Sequence, residues 1–175
     1  MRIYLASSWR NRYQPALVAL LRAEGHEVYD FRNPAPGNTG FAWSAIDVNW
    51  LNWSPYSFRQ ALQDPIAAAG FKLDMDALRW CEACVCLLPC GRSAHLELGW
   101  AAGAGRHTIV YAPELPEPEL MYLMTGGIAL TEAELLAWLR EKDEAKDKPR
   151  ACRFCGVAPV RFSEGACSQC GEPHK

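Results

Sequence analysis

Apolar residues fall along the chain in short bursts of strand length, separated by stretches with helical spacing. Residues 2–6, Arg-Ile-Tyr-Leu-Ala, read as a short buried strand. Ser7 and Ser8 follow. Residues 11–24 then predict a helix whose apolar positions Ala16, Leu17, Ala19, Leu20 and Leu21 give one broad buried face. Gly25 stands where a helix-ending glycine belongs. Residues 27–30 read as a second strand. This β-loop-α-β opening predicts a parallel sheet.

Residues 31–55 break the pattern. They hold the loop formers Asn33, Pro34, Pro36, Gly37, Asn38 and Gly40 beside Phe31, Phe41, Trp43, Trp50 and Trp53. A loop this long is usually functional, and its aromatic content argues against disorder. It has two readings of equal weight, a surface that stacks a planar base and a lid that packs on the domain or on a neighbouring subunit. Beyond it, 65–81 reads as a helix, 83–89 as a buried strand, 94–105 as a helix and 107–111 as a strand. A short helix at 117–124 and a brief strand near Ile128 precede a last helix. Thr131 and Glu134 open that helix at capping-box spacing, and Leu135, Leu136 and Leu139 give it a buried stripe. The alternation predicts an α/β domain over 1–140. Residues 141–150 are charged and read as a frayed helix end or linker, and a new composition begins at 151.

Composition changes this picture little. The chain has 175 residues, 50% of them hydrophobic and 22% charged, with a net charge of −2. That fits one main domain with a small appendage, and no overall field draws it to nucleic acid or anionic lipid. The opening apolar run is too short for a signal peptide, and no later run is long enough to span a bilayer. The expected location is the cytoplasm.

The eight cysteines form two sets. Cys81, Cys84, Cys86 and Cys90 lie in or beside the apolar run at 83–89 and read as core and near-core thiols. Cys152, Cys155, Cys167 and Cys170 make two Cys-x-x-Cys-Gly knuckles in 151–175. Four thiolates at this spacing can close a tetrahedron around Zn²⁺, and so short a segment would draw its folding free energy from the metal. A structural zinc ribbon is the expectation. The tail has no basic patch, which favours a bracing or contact role over nucleic-acid binding.

The most informative stretch runs from Asp74 to Gly103. A buried strand ends near Pro89, a Gly91-Arg92-Ser93 turn follows, and a helix begins. Ligands of open α/β sheets bind at the carboxyl ends of strands. Glu97 is therefore expected in the first turns of a helix facing that crevice, where the helix dipole would keep it ionised. A carboxylate so placed can attack an anomeric carbon. A capping or dipole role is the plainer alternative for a lone glutamate.

Three stretches in this order weigh against the plainer role. They are Ile3-Tyr4-Leu5-Ala6-Ser7-Ser8-Trp9, Asp74 with Leu78, and Ser93-Ala-His-Leu-Glu97-Leu-Gly99-Trp-Ala101-Ala-Gly103, with Pro118-Glu-Leu-Met121 beyond. Together they resemble the nucleoside 2-deoxyribosyltransferase family over roughly residues 1–130. The resemblance implies a flavodoxin-like, Rossmann-like fold, a five-stranded parallel sheet with helices on both faces. It implies transfer of a 2-deoxyribosyl group between bases through a covalent glycosyl-glutamate, or, in a related branch, hydrolysis of nucleoside 5′-monophosphates. Catalysis would need no cofactor. Carried onto this chain, Glu97 matches the nucleophile and Tyr4 the tyrosine that holds it. Trp9 matches a base-pocket aromatic, and Asp74 the aspartate that contacts and protonates the base. Asp76 is the alternative if the register slips by two.

Some positions depart from the family pattern. Cys90-Gly91-Arg92-Ser93 lacks the second base-contacting acid that transferases often carry. Glu119 replaces a small polar residue that reaches the sugar 5′ end from a neighbouring subunit. Ser7, Ser8, Arg10, Arg12, Arg92 and Ser93 could instead cradle an anion, or Arg10 and Arg12 could be ordinary surface charge. His95 reads as a loop hydrogen-bonder. The resemblance further implies a homo-oligomer with shared sites, Glu119 and Met121 reaching across. The expected partners are a nucleoside or nucleotide and an acceptor base. A non-catalytic nucleotide sensor with a partner-binding tail is the reading from another class.

Overall fold

The computed structural model describes residues 1–114 and 117–147, together with the short strands Phe162–Ser163 and Ala166–Cys167. The chain divides into two compact units, Met1–Leu135 and Leu136–Lys175. The first unit holds β1 (Arg2–Ala6), α1 (Gln14–Ala23), β2 (Glu27–Tyr29), α2 (Pro55–Ala61), α3 (Pro65–Trp80), β3 (Ala83–Leu87), α4 (Arg92–Gly103), β4 (His107–Tyr111) and β5 (Ile128–Ala129). All neighbouring strands in this sheet run parallel, in the order β2-β1-β3-β4-β5. This is the expected flavodoxin-like order, and its direction reverses between β1 and β3.

The central strands are apolar on both faces, as parallel strands covered on both sides must be. All five residues of β3 are buried. On one face Tyr4, Ala6, Cys84, Cys86 and Val110 pack with Ala77 and Leu78 of α3 and with Ala94, Leu98 and Ala101 of α4. The alanines let both helices lie close to the sheet. Ile3, Leu5, Val85 and Ile109 point to the opposite face and are equally buried.

Several boundaries differ from the sequence expectation for physical reasons. The first helix begins at Gln14, not residue 11. Asn11 instead folds inward and donates from Nδ2 to the carbonyls of Leu87 (3.4 Å) and Pro89 (3.0 Å). Its buried stripe is Gln14, Leu17, Val18 and Leu21, an i, i+3, i+4, i+7 set. Ala16 and Ala19 are exposed, because a short alanine can tolerate either side. Residues 31–55 are not plain loop. They contain 3₁₀ turns at Trp43–Ala45 and Trp50–Asn52, and α2 follows with Ser54 as its cap, accepting from Ser57 N at 3.1 Å. At 117–124 only a 3₁₀ turn forms, Leu120–Met124.

The last helix, α5 (Glu132–Asp147), runs through most of the charged stretch expected as linker. Its start is capped reciprocally: Thr131 Oγ1 accepts from Glu134 N, and Glu134 Oε2 accepts from Leu130 N. Leu135 and Leu139 are buried. In the tail, Phe162–Ser163 (β6) and Ala166–Cys167 (β7) pair antiparallel. Cys152, Cys155 and Cys170 lie outside the described residues, as does the side chain of Cys167.

Candidate active site

The switch point between β1 and β3 gathers four ionisable side chains from four elements. Tyr4 comes from β1 and Tyr29 from β2. They are register partners, so their rings stand on the same face, stacked at 5.2 Å and 21°. Asp74 comes from α3, on the helix face shared with the buried Ala77 and Leu78. Glu97 comes from α4, on the face shared with Ala94, Leu98 and Ala101. Tyr29 Oη donates to Asp74 Oδ1 at 2.8 Å.

Burial dominates the electrostatics. Glu97 is raised to about 7, by burial first and by the neighbouring charge of Asp74 next, while Tyr4 acts in the other direction. Burial also raises Asp74, against the hydrogen bond from Tyr29, which favours its ionised form. The two tyrosines are pushed well above the usual phenol range, by burial first and by the carboxylates next. The sequence expectation that the helix dipole keeps Glu97 ionised is thus corrected. Glu97 lies beyond the first turn of α4, where the dipole has faded, and desolvation prevails. Glu97 and Asp74 are thus neighbouring carboxyls, both held above the ordinary carboxylate range.

Tyr4 is fully buried and its hydroxyl has no partner in hydrogen-bond geometry. It is nevertheless near enough to Glu97 to favour the carboxylate. A short movement would close that bond, as happens when catalytic hydrogen bonds tighten on substrate binding.

The remaining expected residues fall into three groups. Ser7, Ser8 and Trp9 lie on the loop after β1. Ser7 Oγ donates to Leu87 O at 3.0 Å, and Ser8 Oγ accepts from Arg10 N at 3.2 Å. Trp9 is 51% exposed, its ring edge-on to Phe31. Arg10, Arg92 and Ser93 are exposed, and the last two open α4, whose cap position is Gly91 with no side-chain bond. Arg12 is drawn away: its Nη2 bonds Glu114 Oε1 at 2.5 Å and Tyr13 Oη at 2.7 Å. Glu119 accepts from Met121 N at 2.9 Å, so it caps its own turn, and both residues are exposed. Glu119 borders an open apolar groove along Tyr122, Leu123 and Ile128, whose lining includes none of Met121, Glu97 and Asp74. Asp76 is not in the site. It points outward to Lys72 and Arg79 on its own helix.

Sequence reasoning missed the residues that hold the site together. Tyr29 sits at the end of a strand only three residues long, too short to show which face it presents. Arg32 Nη2 donates to the carbonyls of Ser8, Trp9 and Asn11 at 2.8–2.9 Å and so fixes the loop that carries Trp9. Buried Asp30 accepts from Gln14 Nε2 (2.6 Å), Arg32 N (3.0 Å) and Asn33 Nδ2 (2.9 Å). The buried polar Gln14 on an otherwise apolar stripe was the available signal. His95 bonds Gly91 O at 2.9 Å and Tyr122 Oη at 3.0 Å, in keeping with its expected role.

The aromatic loop packs largely on itself. Trp43 makes edge contacts with Phe41, Trp53 and Phe58 at 4.7–5.8 Å, and Trp53 Nε1 donates to Asp47 at 2.6 Å. Phe41 presses on α3 at Gly70, where a Cβ would stand 2.9 Å from the Phe41 side chain. This favours the lid reading over an open stacking surface.

No family model and no curated protein sequence matches the chain. Among solved structures it is similar to a 2-deoxyribosyltransferase from the psychrotolerant bacterium Bacillus psychrosaccharolyticus, at 19% identity and a TM-score of 0.55, over 77% of this chain and 90% of that one. It also aligns with the CMP N-glycosidase BcmB of Clostridium botulinum at 20% identity and a TM-score of 0.44, over 80% and 99% of the two chains. The first likeness shows that the chain has the fold of that transferase, the five-stranded parallel sheet described above.

Proposed function

We propose that this protein cleaves the base–sugar N-glycosidic bond of a nucleoside, with Glu97 as nucleophile and transfer of the 2-deoxyribosyl group to a second base as the leading outcome. The observation that carries the reading is the half-buried Glu97–Asp74 pair, backed by Tyr4 and Tyr29, at the switch point of a parallel sheet. Solvated surface carboxylates would have no reason to be desolvated together.

The chemistry follows from the pair. The Glu97 carboxylate attacks C1′ as the C1′–N bond breaks. The base leaves with the bonding electrons and takes a proton from Asp74, which makes it a better leaving group. An acceptor base, or water, then attacks C1′ and gives its proton to the Asp74 carboxylate as the C1′–O bond to Glu97 breaks, which restores both groups. Because both carboxyls are raised, and Glu97 to about 7, attack requires the form in which Glu97 is ionised and the proton sits on Asp74. The tyrosine bonds are suited to this. Tyr4 can stabilise ionised Glu97, and Tyr29 can swing to accept from protonated Asp74.

A second reading, hydrolysis of a nucleoside 5′-monophosphate, draws on one feature. The first turn of α4 has no side-chain cap, and Arg92 and Ser93 stand there exposed, so its amides and a guanidinium are available to an anion. Arg12, held by Glu114, does not add to it.

Assembly into a homo-oligomer is part of the proposal. Leu96, Leu120, Leu123 and Leu130 are each more than 60% exposed, with Met121, Met124 and Ile128 beside them in the chain. Exposed apolar residues in such number suit a subunit interface. For the tail we infer a structural Cys152, Cys155, Cys167 and Cys170 zinc ribbon. A four-thiolate set suits zinc, and the pairing of β6 with β7, which ends on the knuckle residue Cys167, supports it.

Incubating the protein with a panel of deoxynucleosides and their monophosphates, with and without an acceptor base, tests the reading. Base release from deoxynucleosides, with exchange when acceptor is present, is the expected product pattern. Ligand binding without any turnover would favour the sensor instead.

A further inference from the structure

The cysteines beside the crevice are not used by the chemistry above, yet two of them touch. Cys86 is fully buried at the carboxyl end of β3 and shares its face with Tyr4 and Cys84. Cys90 is half-buried in the turn between β3 and α4. Their sulfurs are 3.6 Å apart, and Cys90 Sγ is also 3.6 Å from His95 Nδ1. We propose that Cys86 and Cys90 form a peroxide-sensitive dithiol whose oxidation to an intramolecular disulfide shuts the neighbouring carboxylate site.

The surroundings assign each sulfur a part. Gly91 O can only accept, so His95 Nδ1 carries the proton of their 2.9 Å bond. Its Nε2 lies 3.0 Å from Tyr122 Oη. Cys90 Sγ therefore faces an N–H donor. The Cys86 thiol, too buried to ionise, donates to Cys90. That bond, and then His95, lowers Cys90 below the ordinary thiol range, while the same bond and burial hold Cys86 well above it. Cys90 is thus the accessible nucleophile and Cys86 the resolving thiol.

The step balances with a hydroperoxide as oxidant. With hydrogen peroxide, the Cys90 thiolate attacks one peroxide oxygen, the O–O bond breaks, a sulfenic acid forms, and the departing hydroxide takes up the proton Cys90 gave to solvent on ionising and leaves as water. Cys86 sulfur then attacks the Cys90 sulfur. The S–S bond forms, the sulfenic hydroxyl departs, and it takes the Cys86 proton as a second water. Both sulfurs are oxidised and the peroxide is reduced. Closing the gap from 3.6 Å to about 2.05 Å requires the turn to move toward the sheet. That turn leads directly into α4, which carries Glu97, and Cys90 is near enough to influence Glu97.

The test uses the full-length protein. Treat it with hydrogen peroxide, alkylate the remaining thiols, and digest with chymotrypsin at neutral pH. Cleavage between Leu87 and Leu88 leaves Cys86 and Cys90 on separate peptides, so only a disulfide holds them together. The expected result is that linked pair, minus two hydrogens, reversed by dithiothreitol and absent in Cys86→Ser and Cys90→Ser. Overoxidised Cys90 without linkage, unmodified thiols, or Cys90 joined to another cysteine would overturn the proposal. The activity arm rests on the function proposed above. Oxidised protein should lose about ten-fold or more of its base-release rate, as expected when a nucleophile is shifted by an ångström-scale movement. Each serine variant, compared with itself before and after peroxide, should keep its rate. A disulfide that forms with no loss of rate overturns the switch but not the dithiol. Absence of base release from untreated protein fails the function reading alone.

Discussion

Glu97 and Asp74 are ordinary residue types in an unusual setting, and their titration is where the account is most exposed. Glu97 is raised to about 7 in the folded chain, chiefly by burial. The folded state therefore holds this proton more tightly than the unfolded one. The resulting stability is fully present below about 4.5, the ordinary glutamate value, and is lost as pH rises through about 7. Glu97→Gln removes the dependence. Chemical denaturation should find the variant about 1–3 kcal/mol more stable than the parent near pH 8, with the difference vanishing near pH 4.5. A parent that is the more stable of the two at high pH would mean that Glu97 is not desolvated. Tyr4→Phe should lower kcat by about ten- to a hundred-fold with little change in KM, and should move the pH limb belonging to Glu97 upward, because Tyr4 favours the carboxylate. An unchanged pH profile would leave Tyr4 a packing residue only.

At the scale of elements, the loops after β1 and β2 act as one unit. Arg32 grips three carbonyls of the 8–11 segment, and Gly40 closes against Trp9 from the other side. Gly40 has φ +79°, and a Cβ there would stand 2.3 Å from Phe31 O and 2.9 Å from the Trp9 ring. Gly40→Ala should therefore cost about 1–3 kcal/mol of stability and raise KM, while leaving the kcat of saturated enzyme within a few-fold. Thermal melts and steady-state kinetics check both halves. Little of this unit was legible in the sequence. Strands β1, β3 and β4 announce themselves as apolar runs, and Asp74 and Glu97 sit at helical offsets from apolar residues, so their inward faces follow from spacing. Arg32 and Asp30 carry no such period. The carbonyls that Arg32 bonds lie in a loop 21–24 residues away, and Asp30 bonds Gln14 on α1, 16 residues away, so only folding brings these groups together. The first helix was drawn too long for a related reason: Asn11 has better partners across the sheet, at Leu87 and Pro89, than along its own chain.

At the scale of the whole molecule, a single chain exposes more apolar side chain than its chemistry explains. Leu120, Leu123 and Leu130 line one stretch between the turn at Leu120–Met124 and α5. Sedimentation should find an oligomer, and Leu123→Glu should shift it toward monomer by placing a desolvated charge in the contact. A parent that sediments as a monomer at all concentrations would remove the shared-site expectation for Glu119 and Met121. The tail belongs to the same scale. Elemental analysis is expected to find zinc bound to the four tail cysteines. Chelation should unfold that segment while base release continues, since no catalytic step requires the metal.

The proposed chemistry requires that Glu97 form a bond to the sugar. The protein should be mixed with a deoxynucleoside without acceptor base, quenched in acid within the first turnovers, digested and weighed peptide by peptide. The account predicts one added 2-deoxyribosyl group on the peptide containing Glu97, discharged when acceptor base is supplied before the quench and never seen in Glu97→Ala. Base release at full rate by Glu97→Ala, or a sugar adduct on any other residue, would contradict it.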